Sequence, residues 1–95
     1  MSESTSDRQV VLDLSREEAW VAHVALTREI DRQLDEGEKP VRERALLSAL
    51  ERDEPVDPGA LRTLRDAVVA YLDDAPDRDV VTGRAVLGTI DAALA

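Results

Sequence analysis

Asp57-Pro-Gly-Ala-Leu-Arg-Thr-Leu-Arg-Asp-Ala-Val-Val-Ala-Tyr-Leu-Asp-Asp74 reads as the clearest helix in the chain. Asp57 can accept from the free N–H groups of a helix start, and Pro58 suits a first turn that needs no N–H there. Ala60, Leu61, Leu64, Ala67, Val68, Tyr71 and Leu72 then fall on one arc, opposite Arg62, Arg65, Asp66 and Asp73. A helix apolar on one face must bury that face, so its neighbours decide the architecture.

Outward from this run, the pattern stays helical. Ala75-Pro76-Asp77 breaks and restarts the chain, and a last helix is expected from about Arg78 to Leu94. Its stripe is Val80, Gly83, Leu87, Ile90 and Leu94. Gly83 there implies a close approach of two backbones, because glycine otherwise costs a helix about 1 kcal/mol. On the N-terminal side, Asp53-Glu-Pro-Val-Asp57 is a loop, and a second helix runs from Pro40 to about Arg52. It is apolar on two sides, Leu46, Leu47 and Leu50 against Val41, Ala45 and Ala49, as expected between layers or in a subunit interface. The first helix is opened by Ser15 with Glu18 in a capping box and is stopped near Glu36 by Gly37. It carries Ala19, Trp20, Val24, Leu26, Ile30 and Leu34. Val10, Leu12 and Leu14 alternate with Val11 and Asp13, a short strand pattern. Residues 1–8 read as a polar, disordered leader and 9–95 as a single helical domain.

Composition narrows the function classes. The 95 residues hold 12 Lys plus Arg and 21 Asp plus Glu, a formal charge of −9, and no Cys or Phe. Without Cys there is no disulfide framework, zinc finger or thiol nucleophile. No apolar run reaches the roughly 18 residues of a membrane span, and the polar N-terminus does not resemble a secretory signal. The expected setting is cytoplasmic, without a membrane partner. Acidity is spread along the chain, with 7 basic and 11 acidic groups in residues 1–47 and 5 and 10 in residues 48–95. Eleven of the basic residues are Arg and only Lys39 is Lys. High Asp, Arg in place of Lys and small aliphatic residues resemble the proteins of halophilic archaea, where carboxylates hold water and counter-ions in molar salt. At such ionic strength the Debye length is about 3 Å, so net charge says little about partners. The absence of a basic patch says more: Lys39, Arg42 and Arg44 are interrupted by Glu43.

Individual residues offer little chemistry. His23 falls among Ala19, Leu26, Ile30 and Leu34 on the first helix, which reads as a buried histidine hydrogen-bonded to a neighbour. As a general base it would need a nucleophile or orienting acid, and Ser48 and Thr63 have no such context. The acidic clusters Glu51, Asp53, Glu54, Asp57 and Asp73, Asp74, Asp77, Asp79 lack the spacing and central Gly of a calcium loop and read as solvated surface. Gly83 and Gly88 lie within a helix pattern, so no phosphate loop is present. Trp20, at the edge of the apolar arc, fits an interface anchor. Arg62 and Arg65 on the helix at 58–74 raise an alternative, a transcription-associated DNA-binding protein with a helix–turn–helix. Flanking Asp66 makes a solvated face the simpler account, and a nucleic-acid partner is disfavoured.

The run Leu12-Asp-Leu-Ser-Arg-Glu-Glu-Ala-Trp20 is similar to the openings of small uncharacterised acidic proteins of halophilic archaea. That resemblance implies an origin and an architecture. It carries no activity, cofactor or catalytic residue. The expectation is a mainly α fold, about four helices in a small bundle with one short N-terminal β-strand paired across a dimer. The expected function is a non-catalytic homodimeric interaction or accessory and regulatory module, with no catalytic, metal or cofactor site. The strand at Val10–Leu14 has no internal ladder partner except Val80-Val81-Thr82, so two copies running antiparallel would satisfy each other. Val10, Leu12, Leu14 and Trp20 are the expected dimer interface.

Overall fold

The computed structural model describes residues 9–95, so the expected leader at 1–8 lies outside the described residues. Four helices follow one another: α1 (Arg16–Asp35), α2 (Val41–Glu51), α3 (Pro58–Leu72) and α4 (Asp77–Leu94). Their ends follow local chemistry. Ser15 Oγ accepts from the Glu18 N–H, and Glu18 Oε1 accepts from the Ser15 N–H, closing the capping box. Asp57 Oδ1 accepts from the Ala60 N–H one residue before Pro58. Gly37, at φ 76°, ends α1: the Glu38 N–H reaches Gln33 O and the Gly37 N–H reaches Leu34 O. The same paired bonds end α2, with Asp53 at φ 54° where α1 has its glycine.

α1 and α3 each pack against every other helix, and α2 and α4 lie against that pair. The core joins Val21, Ala22, Ala25 and Leu26 of α1, Leu61, Leu64, Ala67 and Val68 of α3, and Val86 and Ile90 of α4. From α2 only Leu46 is buried. On the second apolar side of α2, Val41, 69% exposed, and Ala45 stay outside, while Ala49 packs partly against the core. A Cβ on Gly83 would lie 2.5 Å from Leu72 Cδ2, so the glycine lets α4 close onto α3.

Two expectations change here. No strand is present among the described residues. Val10 instead forms one antiparallel bridge with Val56, each N–H donating to the other's carbonyl at 2.9 and 2.8 Å. The partner therefore sits in the α2–α3 loop and not at Val80-Val81-Thr82, which belongs to α4. A lone bridge needs no run of alternating residues, which is why the loop carries no strand signal. The buried face of α1 is also turned relative to the expected arc. Because α2, α3 and α4 all pack on α1, Val21, Ala22 and Ala25 go inside, while Ala19, Trp20 and Leu34 stay exposed. His23 is consequently at the margin of the core and not within it, with 41% of its side chain exposed.

Candidate functional site

The exposed face of α1 borders a groove of about 350 Å³. Its floor is apolar: Leu12 and Leu14 from the N-terminal segment, Ala19 and Ala22 from α1, and Leu47 and Leu50 from α2. Ser15, in extended conformation, leads into α1 through the capping box, and Leu12 and Leu14 before it line the groove with Ala19 and Ala22. The bridge from Val10 to Val56 ties the start of this segment to the loop beyond α2. Two local devices thus hold one wall of the groove.

Trp20 stands over this floor with 62% of its surface exposed. Its indole stacks on the His23 ring one turn along α1, with centroids 5.9 Å apart and planes 13° from parallel. His23 Nδ1 lies 3.6 Å from Glu51 Oε2, longer than a hydrogen bond. The Glu51 side chain is 57% exposed, so water screens the pair. Glu51, Asp53 and Glu54 form an acidic rim where α2 ends, and Arg16 closes the groove at the start of α1. Trp20 and Arg16 also line a second groove, of about 610 Å³, on the other side of α1, with Glu17, Arg78, Asp79 and Thr82. They therefore form a ridge with an acidic margin on the α2 side and a mixed one on the α4 side, where Glu17 and Asp79 accompany Arg78.

The four expected interface residues divide. Leu12, Leu14 and Trp20 meet in the groove. Val10 does not line it, because its backbone is taken up by Val56. Among the described residues, 11–14 make no backbone–backbone hydrogen bond, leaving a short open edge beside the indole. Leu47 and Leu50 were legible as one apolar side of α2 and Glu51 as part of an acidic cluster, but nothing in the sequence joined them to Trp20, and Arg16 carried no signal of its own.

The other sequence candidates lie elsewhere. Arg65 Nε is bonded to Asp91 Oδ1 at 2.9 Å, leaving Arg62 as the exposed cation beside it on α3. α3 is packed against three helices and does not project from the bundle. Among the described residues no three His, Asp or Glu side chains converge as a metal site would require. None of the described helices is long and apolar enough to cross a membrane.

Asp79 belongs to a separate polar network. Its Oδ2 accepts a 2.6 Å hydrogen bond from the Tyr71 hydroxyl. This bond, with burial and the negative charge nearby, holds the Tyr71 pKa above the ordinary phenol value. Arg28 lies 5.4 Å over the Tyr71 ring and pairs with Asp74 at 3.3 Å. On α1, Arg32 bridges Glu29 and Glu36, and its hydrogen bond lowers the Glu29 pKa. These contacts brace the bundle and leave the Trp20 groove unoccupied by charge pairs of their own.

No curated protein and no solved structure matches the chain. A model of a family of unknown function, DUF7853, matches residues 12–91, a span that takes in all four helices apart from the end of α4, and the groove apart from Val11. By that match, the chain belongs to the DUF7853 family.

Proposed function

We propose that the chain is a non-catalytic interaction module that works as a homodimer, an accessory or regulatory subunit in a cytoplasm of concentrated salt. The observation that carries this reading is the exposure of Trp20 over an apolar groove. Tryptophan buries about 150–250 Å² when covered, and exposed apolar patches with polar rims mark binding surfaces. Holding that ring in water wastes the largest apolar side chain in the molecule. A second copy is the natural cover. The indole of one copy faces the same apolar floor in the other, and the open edge at 11–14 offers further backbone partners. The dimer drawn from this surface centres on Trp20 rather than on a strand pair, since Val10 is already bonded.

A binding role is favoured over catalysis by the groove's lining. Its described residues include no hydroxyl or thiol, and His23 and Glu51 are both open to water and too far apart to hydrogen bond. Light scattering in about 2 M KCl tests the reading, at an ionic strength where screening removes long-range repulsion. The expected mass is twice 10.4 kDa at tens of micromolar protein. Trp20→Ala should shift it toward monomer with an unchanged helical spectrum, because the side chain is mostly outside the core. A monodisperse wild-type monomer, or a Trp20→Ala variant as dimeric as wild type, would sink the proposal.

A further inference from the structure

α2 is held differently from the other helices. It buries Leu46 alone, where α1 and α3 bury five residues each and α4 three. Leu47, Ala49 and Leu50 pack only partly against the core. Side-chain hydrogen bonds tie Arg28 of α1 to Asp74 beyond α3, and Tyr71 and Arg65 of α3 to Asp79 and Asp91 of α4. Among the described residues none ties α2 to another element, and its nearest polar approach, His23 to Glu51 at 3.6 Å, is longer than a hydrogen bond. Open space meets α2 on two faces. The Trp20 groove reaches Leu47, Leu50 and Glu51, and a further groove of about 440 Å³ reaches Arg42, Ala45, Leu46 and Ala49. Each end of α2 is pinned by a buried residue, Pro40 before it and Val56 after it. Each end also has a left-handed residue close by, Gly37 at φ 76° and Asp53 at φ 54°. Short segments between packed points are where a hinge takes up its rotation.

We propose that α2 is a hinged flap: it lifts as a unit from an α1–α3–α4 core that stays folded, and a second copy seated on the Trp20 groove holds it shut. The clamp rests on the homodimer proposed above; the flap does not. Eleven residues are too few for a stable helix away from the bundle, so α2 loses its backbone hydrogen bonds whenever it opens. Little opposes that opening beyond the burial of Leu46 and its partly covered neighbours. The second copy acts on the flap because Leu47 and Leu50 are part of the floor that it covers. Only the closed form presents that floor, so dimerisation draws the equilibrium toward closure by mass action. Self-association on one face of α2 thereby also fixes the shape of the groove on the other.

Amide hydrogen exchange, read by NMR along a series of low denaturant concentrations, separates flap opening from global unfolding, because an opening that exposes little surface depends weakly on denaturant. The α2 amides should exchange at least about tenfold faster than the best protected amides of α1, α3 and α4, with the weaker dependence. Ile90→Val lies in α4, outside the flap. It should speed exchange of those best protected amides by about threefold to tenfold and leave α2 unchanged. Equal denaturant dependence in all four helices, or an Ile90→Val effect as large in α2 as elsewhere, overturns the flap. The clamp is read in about 2 M KCl, where screening removes long-range repulsion. Raising wild-type protein tenfold should slow α2 exchange about threefold, the square-root dependence of a dimer whose open form is monomeric. In Trp20→Ala the α2 rates should not move with concentration. Wild-type α2 rates that ignore concentration, in a protein that light scattering shows to be dimeric, overturn the clamp and leave the dimer standing. A wild type that is monomeric in molar salt overturns the dimer and the clamp together, and the Ile90→Val comparison still decides the flap.

Discussion

Tyr71 shows how a single hydroxyl connects elements in this bundle. Its ring is buried, and its O–H reaches Asp79 across the α3–α4 turn, while Arg28 of α1 covers the ring face. Removing the hydroxyl with Tyr71→Phe should cost about 1 kcal/mol, the usual net value of such a bond, with the ring packing retained. The hydrogen bond to Asp79 also makes stability depend on pH at the alkaline end. Because the folded-state pKa is raised, the neutral phenol is favoured in the native protein. That stability is fully present below about pH 10, the unfolded phenol's value, and is lost as pH rises through the folded value above it. Denaturant melts of wild type and Tyr71→Phe should therefore differ by a constant amount up to about pH 10 and converge above it. A gap that stays constant or widens in alkali would show that the bond to Asp79 does not control the phenol.

At the scale of elements, the two glycines of α4 make opposite predictions from the same residue type. A Cβ on Gly88 meets nothing within 4 Å, so Gly88→Ala should stabilise by up to about 1 kcal/mol through helix propensity alone. A Cβ on Gly83 would press on Leu72 Cδ2, and Leu72 could yield only by giving up packing between α3 and α4. Gly83→Ala should gain less than Gly88→Ala or lose stability outright. Equal gains in chemical denaturation would mean that the helices do not approach this closely. What was readable in the sequence follows the same division between local and distant causes. The capping box at Ser15, the Asp57-Pro58 start and the glycine stop at Gly37 are contained in a few consecutive residues, whereas Gly83, expected to mark two backbones in close approach, instead faces the Leu72 side chain. The partner of Val10 was not readable locally, because Val56 lies 46 positions away in a loop whose neighbours are Pro55 and Asp57. Nor was the rotation of α1, because three helices compete for its broad apolar surface and only their packing selects Val21, Ala22 and Ala25. His23 moved to the margin for that reason. The groove itself draws on residues 11–16, 19–23 and 47–54, so its members could be suspected singly but not assembled.

For the whole molecule, surface charge and core size should act together in setting stability. The 21 carboxylates outnumber the basic groups by nine, and among the described residues the Arg28–Asp74, Arg32–Glu36 and Arg65–Asp91 pairs are exposed ones that contribute little in water. The core beneath that surface contains no Phe and relies on Ala, Val, Leu and Ile with the one Tyr. Folding therefore starts from modest apolar burial and works against self-repulsion, in a molecule whose total margin is about 5–15 kcal/mol at best. Potassium chloride should relieve both difficulties. Screening contracts from about 10 Å at 0.1 M to below about 3 Å beyond 1 M, removing the repulsion early in a titration. Salt that raises the cost of exposing apolar surface should continue to stabilise after screening is complete. Thermal melts from about 0.1 to 3 M KCl should thus show a melting temperature that rises steeply at first and then more slowly. The two phases separate the causes: a steep rise that ends in a plateau would assign the effect to charge alone. A melting temperature flat or falling across the whole range would remove the argument for life in concentrated salt. Repeating the series with Trp20→Ala would then show how much of the slower phase comes from association, since a dimer melts at a temperature that depends on protein concentration and a monomer does not.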